Sequence, residues 1–332
     1  MKAIAYHAYG PPADVLRLED VERPPLRPDA VLVRVRAAAV NPYDWHFVRG
    51  KPYFMRLMAG LRAPKQHVLG VDFAGVVEDV GRAVTTLERS DEVYGMWHGA
   101  FGEYLSAPES EIALKPKRLS FGLAAAVPLA GLTALQGLRD AGQVRSGHKV
   151  LIIGASGGVG TFAVQIAKHL GAHVTGVCST RNVELVRSLG ADAVIDYTRQ
   201  DFAASGTTYD VIFQLGGMHS PSHCRRALTP KGRLVLSSGD SHGRWIGPMG
   251  RVIRAMLLSP FVSQTLVPLQ AKRSKADLQT LAELIDAGKL EPVIDRTYPL
   301  DQVPEAVGYV EQGHSRGKVL IAIDDTGRSD RA

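Results

Sequence analysis

The stretch KVLIIGASGGVGTFAVQIAKHLG, Lys149 to Gly171, changes its hydrophobic period in the middle. Val150 to Ile153 form an unbroken apolar run of strand length, the mark of a strand buried on both faces. Val159, Phe162, Ala163, Ile166, Ala167 and Leu170 then recur at helical spacing, and Gly171 supplies a C-terminal stop. Between them lie Gly154, Ala155, Ser156, Gly157, Gly158, Val159 and Gly160. A strand, a glycine turn and a helix in that order form the phosphate-binding opening of a doubly wound domain: free N–H groups and the positive dipole end face an anion. Ala155 stands where the first glycine of G-x-G-x-x-G is usual; Gly157 would admit a pyrophosphate to the backbone, and Gly160 would let helix and strand pack closely.

Outward from this core, apolar segments separated by short connections fall at Val150–Ile153, His173–Cys178, Ala193–Ile195, Val211–Phe213, Arg233–Ser237 and Thr265–Leu269. Strands alternating with helices imply a parallel sheet, here of six strands, and hence an α/β Rossmann domain. Upstream the rhythm differs. Val31, Val33 and Val35 alternate with Leu32, Arg34 and Arg36, the period of a half-buried strand. Leu69–Val80, Glu92–Met96 and Gly102–Ala107 are further strand candidates, predicting a partly open antiparallel barrel. The character changes near Leu119, after Lys115, Pro116 and Lys117. Helices are expected over Asp277–Ala287 and Pro304–Gln312, a last strand over Lys318–Ile323, and a fraying tail from Asp324. The expected division is residues 1–118 and 273–332 for the first domain and 119–272 for the Rossmann domain.

The nucleotide is decided at the end of the second Rossmann strand, where NAD-binding domains place an acid for the ribose hydroxyls. The chain reads Cys178, Ser179, Thr180, Arg181, Asn182. Two hydroxyls and a guanidinium suit a 2′-phosphate, which points to NADPH.

Composition narrows the rest. With 332 residues, 45% hydrophobic and 22% charged, the chain suits two folded domains. The net charge of +6 is scattered, without a run of like charges, which argues against nucleic acid as the main partner. Phe121–Leu138 is the longest uncharged stretch, but Pro128 and its glycines make it a buried helix and turn rather than a membrane span. Two distant cysteines, Cys178 and Cys224, and no signal-like N-terminus suggest a reducing, cytoplasmic location. The apolar strand Thr265–Leu269 suggests a homodimer along a sheet edge.

Taken together, these residues resemble the medium-chain dehydrogenase/reductase superfamily, within it the zinc-free quinone oxidoreductase-like branch. The likeness rests on Asn41-Pro42-Tyr43-Asp44-Trp45, Gly70-Val71-Asp72-Phe73-Ala74-Gly75, Gly102-Glu103-Tyr104, Ala130-Gly131-Leu132-Thr133-Ala134, the glycine loop, Leu189-Gly190-Ala191-Asp192 and Gly317-Lys318-Val319. It implies a GroES-like catalytic domain built from both chain ends, a Rossmann domain inserted between them and an active site in the intervening cleft. It also implies cofactor contacts from Thr133, from Ser156, Gly157, Gly158 and Val159 in the glycine loop, from Ser179 and Arg181, from Tyr197 after the third strand, and from Leu215 and Gly216 after the fourth, where Gln214 replaces a more usual Asp. Zinc-dependent members carry metal ligands where this chain has Asn41, Val71 followed by Asp72, and Ala130, so no metal site is expected. His219 and His223 are four apart but lie at a loop and helix start.

Without a Lewis acid, the suitable acceptors are already electron-poor: quinones, activated enones and reactive carbonyls. Asn41 is the candidate donor to a developing enolate oxygen, Tyr43 the candidate proton donor, and Asp44 a residue that orients them. Tyr53, Phe54, Met55, Leu57 and Met58, in an expected loop from Arg49 to Gln66, are candidates for a substrate wall. A second reading remains open, an NADPH-binding redox-sensing interaction protein with little turnover, because no indispensable catalytic acid stands out.

Overall fold

A computed structural model describes residues 1–217, 219–237 and 249–323. The chain divides into two compact units, Met1–Leu129 with Arg273–Asp286 and Ile294–Ala332, and Ala130–Lys272 with Ala287–Val293. The first unit therefore runs past the boundary expected after residue 118. The helix Phe121–Ala125, whose capping Ser120 Oγ accepts from the Leu123 N–H, packs on strands of that unit. Ala287–Val293 joins the second unit because Gln165 holds it: its Nε2 donates to the Glu291 carbonyl and its Oε1 accepts the Glu291 N–H, each at 2.9 Å.

In the first unit the strands are β1 (Lys2–Ala5), β2 (Arg17–Asp20), β3 (Ala30–Val40), β4 (Asp72–Val80), β5 (Glu92–Met96), β6 (Tyr104–Pro108) and β7 (Ile112–Leu114). β3 carries the sheet. It pairs with β4 along one side, and on the other with β6 through Ala30–Arg34 and with a late strand through Ala37–Val40. Val31, Val33 and Val35 are buried and Leu32, Arg34 and Arg36 half-buried, so the alternation places one face on a core with Ile4, Phe73, Phe101 and Leu105. Register shifts after Leu32 and Val35 bend the strand, as extra residues in a ladder do. The segment Arg49–Gln66 is not a plain loop: it holds a 3₁₀ turn, Tyr53–Met55, and a helical turn, Arg56–Ala59. Arg56 donates to the Gly50 carbonyl and lies over the Tyr9 and Tyr53 rings.

The second unit contains β8 (Lys149–Ile153), β9 (His173–Cys178), β10 (Ala193–Asp196), β11 (Tyr209–Gln214), β12 (Leu228–Ser237) and β13 (Thr265–Leu269). All pairings are parallel, in the order β10-β9-β8-β11-β12-β13. This is the doubly wound order expected from the six apolar segments. Val150 to Ile153 are buried, and the helix Gly158–His169 buries Phe162, Ala163, Ile166 and Ala167 before Gly171, at φ 78°, ends it. Back in the first unit, β14 (Ile294–Pro299) pairs in parallel with β15 (Lys318–Ala322), the late strand beside β3. Helices fill Lys275–Asp286 and Val303–Glu311. The tail from Asp324 lies outside the described residues. Among these, no helix is long and apolar enough to cross a membrane. Cys178 and Cys224 are both buried and unlinked, and burial pushes their thiols up to about 11 and about 12.

Two glycines of the loop after β8 do different work. A Cβ at Gly160 would lie 2.1 Å from the Gly154 carbonyl oxygen, whereas one at Gly157 would meet nothing closer than that same oxygen at 3.5 Å. Gly160→Ala is therefore expected to destabilise the protein by roughly 1–3 kcal/mol. Gly157→Ala should change stability by less than about 1 kcal/mol. Thermal unfolding of the two variants without added nucleotide checks the contrast.

Candidate active site

In the first unit the segment Asn41–Asp44 opens the helix Pro42–Arg49. Asn41 takes the N-cap position with extended φ/ψ, Pro42 follows where its missing N–H costs nothing, and Asp44 Oδ2 accepts the Asn41 backbone N–H at 2.7 Å. The Asn41 side chain faces inward. Its Nδ2 donates to the Ala39 carbonyl at 3.2 Å and to Asp72 Oδ2 at 3.0 Å, and its Oδ1 accepts from Lys318 Nζ. Both amide hydrogens are thus committed, and the donation to a substrate oxygen expected of Asn41 has no spare proton in this arrangement.

Lys318 is 3% exposed and spends its ammonium on Asn41 Oδ1, Asp72 Oδ2 at 3.1 Å and the Val40 carbonyl at 3.4 Å. Asp72 also accepts the Leu129 N–H at 3.0 Å. Burial pushes Asp72 up, opposed by the Lys318 charge and by the donors of Asn41, Leu129 and Lys318. In the sequence, Lys318 and Asp72 stand out only as landmarks of the resemblance; nothing in their spacing, 246 residues apart, marks them as one ion pair.

Tyr43 stacks on Phe47 with ring centres 4.1 Å apart. Burial first, then the neighbouring Asp44, pushes its hydroxyl up to about 12, so it stays protonated at neutral pH. Asp44 is fully buried. Desolvation raises its carboxyl to about 7, against the Asn41 N–H that accounts for one oxygen, while Oδ1 has no hydrogen-bond partner among the described residues.

The second unit gathers the nucleotide candidates at the C-terminal ends of its strands. Gly157 caps the helix Gly158–His169 and Val159 lies in its first turn. The N–H groups of Gly154 and Ala155 both donate to the Val177 carbonyl, and those of Leu215 and Gly216 to the Ile153 carbonyl, so three strand ends are laced together. Gln214, fully buried, braces the fourth by donating to the His219 carbonyl at 3.1 Å. Thr133 is buried in the helix Pro128–Gln136, and Tyr197 is exposed just past β10.

Beyond β9, Ser179 and Thr180 part company. Ser179 Oγ accepts from Asn182 Nδ2 at 3.2 Å, and the same nitrogen donates to Ser156 Oγ at 3.0 Å. Thr180 instead donates to Asp196 Oδ2 at 2.6 Å, so its proton is not available to a phosphate. Arg181 is exposed in the same turn. β9 ends without an acid, but the neighbouring strand brings one, Asp196, that its place in the sequence does not reveal. It ends β10 in register with Cys178. Thr180, then Thr198, hold its carboxyl below the usual range.

His219 and His223 stack at 5.1 Å; His223 bridges Asp201 at 3.0 Å and accepts from Arg226 at 2.7 Å. No group of three or more metal-ligating side chains occurs among the described residues.

The raised Asp44 carboxyl makes a prediction about stability. Its folded value, about 7, lies above the 3.8 of a free Asp. Its contribution is therefore fully present below pH 4 and is lost as pH rises through 7, with a slope of at most about 1.4 kcal/mol per pH unit. Asp44→Asn should remove that slope. Denaturant unfolding of both proteins at pH 5, 6, 7 and 8 measures it, and parallel curves would contradict the burial argument.

Comparison with known proteins agrees with this fold. Residues 27–117 match the model of the alcohol dehydrogenase GroES-like domain and residues 189–321 that of the zinc-binding dehydrogenase family. The chain is 36% identical over 336 residues to a 2-methylene-furan-3-one reductase of Solanum lycopersicum, covering 97% of this chain and 79% of that one. It is 35% identical, with the same coverage, to an NADPH-dependent alkenal/one oxidoreductase of Arabidopsis thaliana described as chloroplastic. The structure of the quinone oxidoreductase from Coxiella burnetii superposes with a TM-score of 0.87 at 32% identity, covering 98% of this chain and 99% of that chain. The chain belongs to the medium-chain dehydrogenase/reductase superfamily, in its quinone oxidoreductase-like branch.

Proposed function

We propose that this protein is a zinc-independent, NADPH-dependent oxidoreductase that reduces quinones or activated enones and carbonyls by hydride transfer. The observation that carries the nucleotide half is the turn after β9: Ser179 and Arg181 stand where an NAD-binding domain has an acid, and the carboxylate that ends the neighbouring β10, Asp196, is taken up by Thr180 and Thr198. Ser156 and the Gly157 N-cap of the helix Gly158–His169 suit the pyrophosphate at a helix N-terminus. Bound nicotinamide supplies the hydride; the chain's own residues bind it and complete the reduction with a proton.

Tyr43, a hydroxyl in the first turn of the helix that Asn41 caps, is the proposed proton donor. Asn41 and Asp44 then serve as positioning residues: the amide is tied to Asp72 and Lys318, and the Asp44 carboxylate fixes the backbone at the helix start. Zinc independence is supported by Asn41, Val71 and Ala130 at the three ligand positions and by the Lys318 ammonium. A buried cation already occupying Asn41 Oδ1 and Asp72 Oδ2 repels a second, doubly charged one. The acceptor class is supported by the relatives' names: quinones, alkenals, alkenones and a methylene-furanone all conjugate a carbon–carbon double bond to a carbonyl.

Two free, buried thiols suit a reducing compartment such as the cytosol. Assembly as a homodimer along β13 is supported by its position at the end of the sheet and by exposed Met256, Leu257 and Phe261 next to it. Light scattering at micromolar concentration should give twice the chain mass, and a monomer would overturn the dimer.

The central test follows NADPH consumption by absorbance against a panel of quinones and enones, with and without EDTA. Turnover indifferent to EDTA is expected. Loss of activity that zinc restores would overturn the zinc-free reading, and tight NADPH binding without turnover on any acceptor would favour a redox sensor. Arg181→Ala should weaken NADPH by about 10- to 150-fold, the worth of one hydrogen bond to a charged group, and leave NADH nearly unchanged. Equal weakening of both nucleotides would remove Arg181 from the phosphate site.

A further inference from the structure

Asn182 sits in the turn between β9 and the helix Val183–Ser188, is 5% exposed and is touched by two different parts of the second unit. Its Nδ2 donates to Ser156 Oγ in the glycine loop after β8 and to Ser179 Oγ after β9. Its Oδ1 is buried and has no hydrogen-bond partner among the described residues. The amide gives both hydrogens to two hydroxyls and its oxygen to none, and that orientation determines what the hydroxyls can do.

A serine hydroxyl has one proton and two lone pairs. At Ser156 and at Ser179 one lone pair is taken by Asn182, and neither serine donates its proton to any described group. Both protons are left to point elsewhere. Had the amide faced the other way, its oxygen would have drawn in both protons, and the two serines would have offered only lone pairs to a ligand. The orientation found presents two hydrogen-bond donors, held within 3.2 Å of one nitrogen, at the two places from which phosphates of a dinucleotide are gripped.

We propose that Asn182 is a positioning residue that sets the polarity of the nucleotide cradle: it makes Ser156 and Ser179 donors to anionic phosphate oxygens and couples the pyrophosphate loop to the 2′-phosphate turn. This rests on the NADPH reading above. The inference concerns the amide, which touches no ligand itself but decides how two hydroxyls that do are charged with their protons.

The experiment titrates NADPH and NADH into the whole protein by fluorescence or calorimetry, and records the melting temperature without nucleotide. Asn182→Asp keeps the shape and reverses the polarity. Its carboxylate accepts both serine protons, so NADPH should weaken by about 100-fold or more and NADH, with one phosphate site fewer, by about tenfold. Asn182→Ala frees the hydroxyls to rotate and should weaken NADPH by about 5- to 10-fold, less for NADH, with the melting temperature little changed because the orphaned oxygen leaves with the side chain.

A double-mutant cycle isolates the route. In a Ser156→Ala/Ser179→Ala background, Asn182→Ala should change NADPH affinity by less than about twofold. A full additive loss there would overturn the proposal, and so would equal weakening of both nucleotides with a lowered melting temperature, the signature of a merely structural contact. Asn182→Asp binding NADPH as the wild type does would mean that the amide faces the other way, and would overturn it too. Wild type that prefers NADH would instead defeat the NADPH reading itself, a result seen before any variant is made.

Discussion

The Lys318 ammonium is the point on which the first unit turns. It stands on the last strand yet reaches residues 40, 41 and 72, so a single buried cation ties the end of the chain to β3, to the first turn of the helix Pro42–Arg49 and to the start of β4. Burying an ion costs several kcal/mol unless its partners are well placed. Here each of the three ammonium hydrogens has an oxygen, and Asp72 has donors on both of its own. A network so complete specifies a geometry: the late strand must lie against β3 with Val319 opposite Val40, because any slip would strand a charge. Residues 130–272, lying between the two segments so joined, are left to fold around their own parallel sheet.

That constraint also changes what the helix start can do. A zinc site would gather its ligands around an external cation; this chain places its own cation among Asn41, Asp72 and the Val40 carbonyl. The polar groups are satisfied from within, and the side chains still available to chemistry there are the neighbours of the network rather than its members. Tyr43, stacked on Phe47 and carrying its proton, is such a neighbour.

Much of the fold was legible because it depends on short-range periodicity. The run Val150–Ile153 and the alternation Val31, Val33, Val35 each announce how many faces of a strand are buried, and the glycine loop announces the turn between strand and helix. What the sequence concealed was how each polar side chain divides its hydrogen bonds. Asn41 and Thr180 looked like free donors because their type and place suit that task; their partners, Asp72 and Asp196, come from other strands, 31 and 16 residues away. Asp196 escaped notice because an acid was sought at the end of β9, and only the parallel register with Cys178 brings β10's last residue to that place. Asn182 shows no task of its own in the run Cys178 to Asn182, since the direction of an amide has no signature in a one-letter code. The turn at Lys115–Lys117 is a break in pattern, but the helix that follows packs against β3 and β4, which keeps residues up to Leu129 with the first unit.

The two thiols have a consequence for durability. Quinones and enones are Michael acceptors that alkylate cysteine, and the reactive form is the thiolate. With thiols pushed up to about 11 and about 12 by burial, Cys178 and Cys224 expose almost none of it at neutral pH. Cys178 closes β9 directly before Ser179, so an adduct there would distort the turn in which Asn182 holds that serine. Keeping that sulfur protonated and covered lets a chain meet electrophiles turnover after turnover without becoming their target.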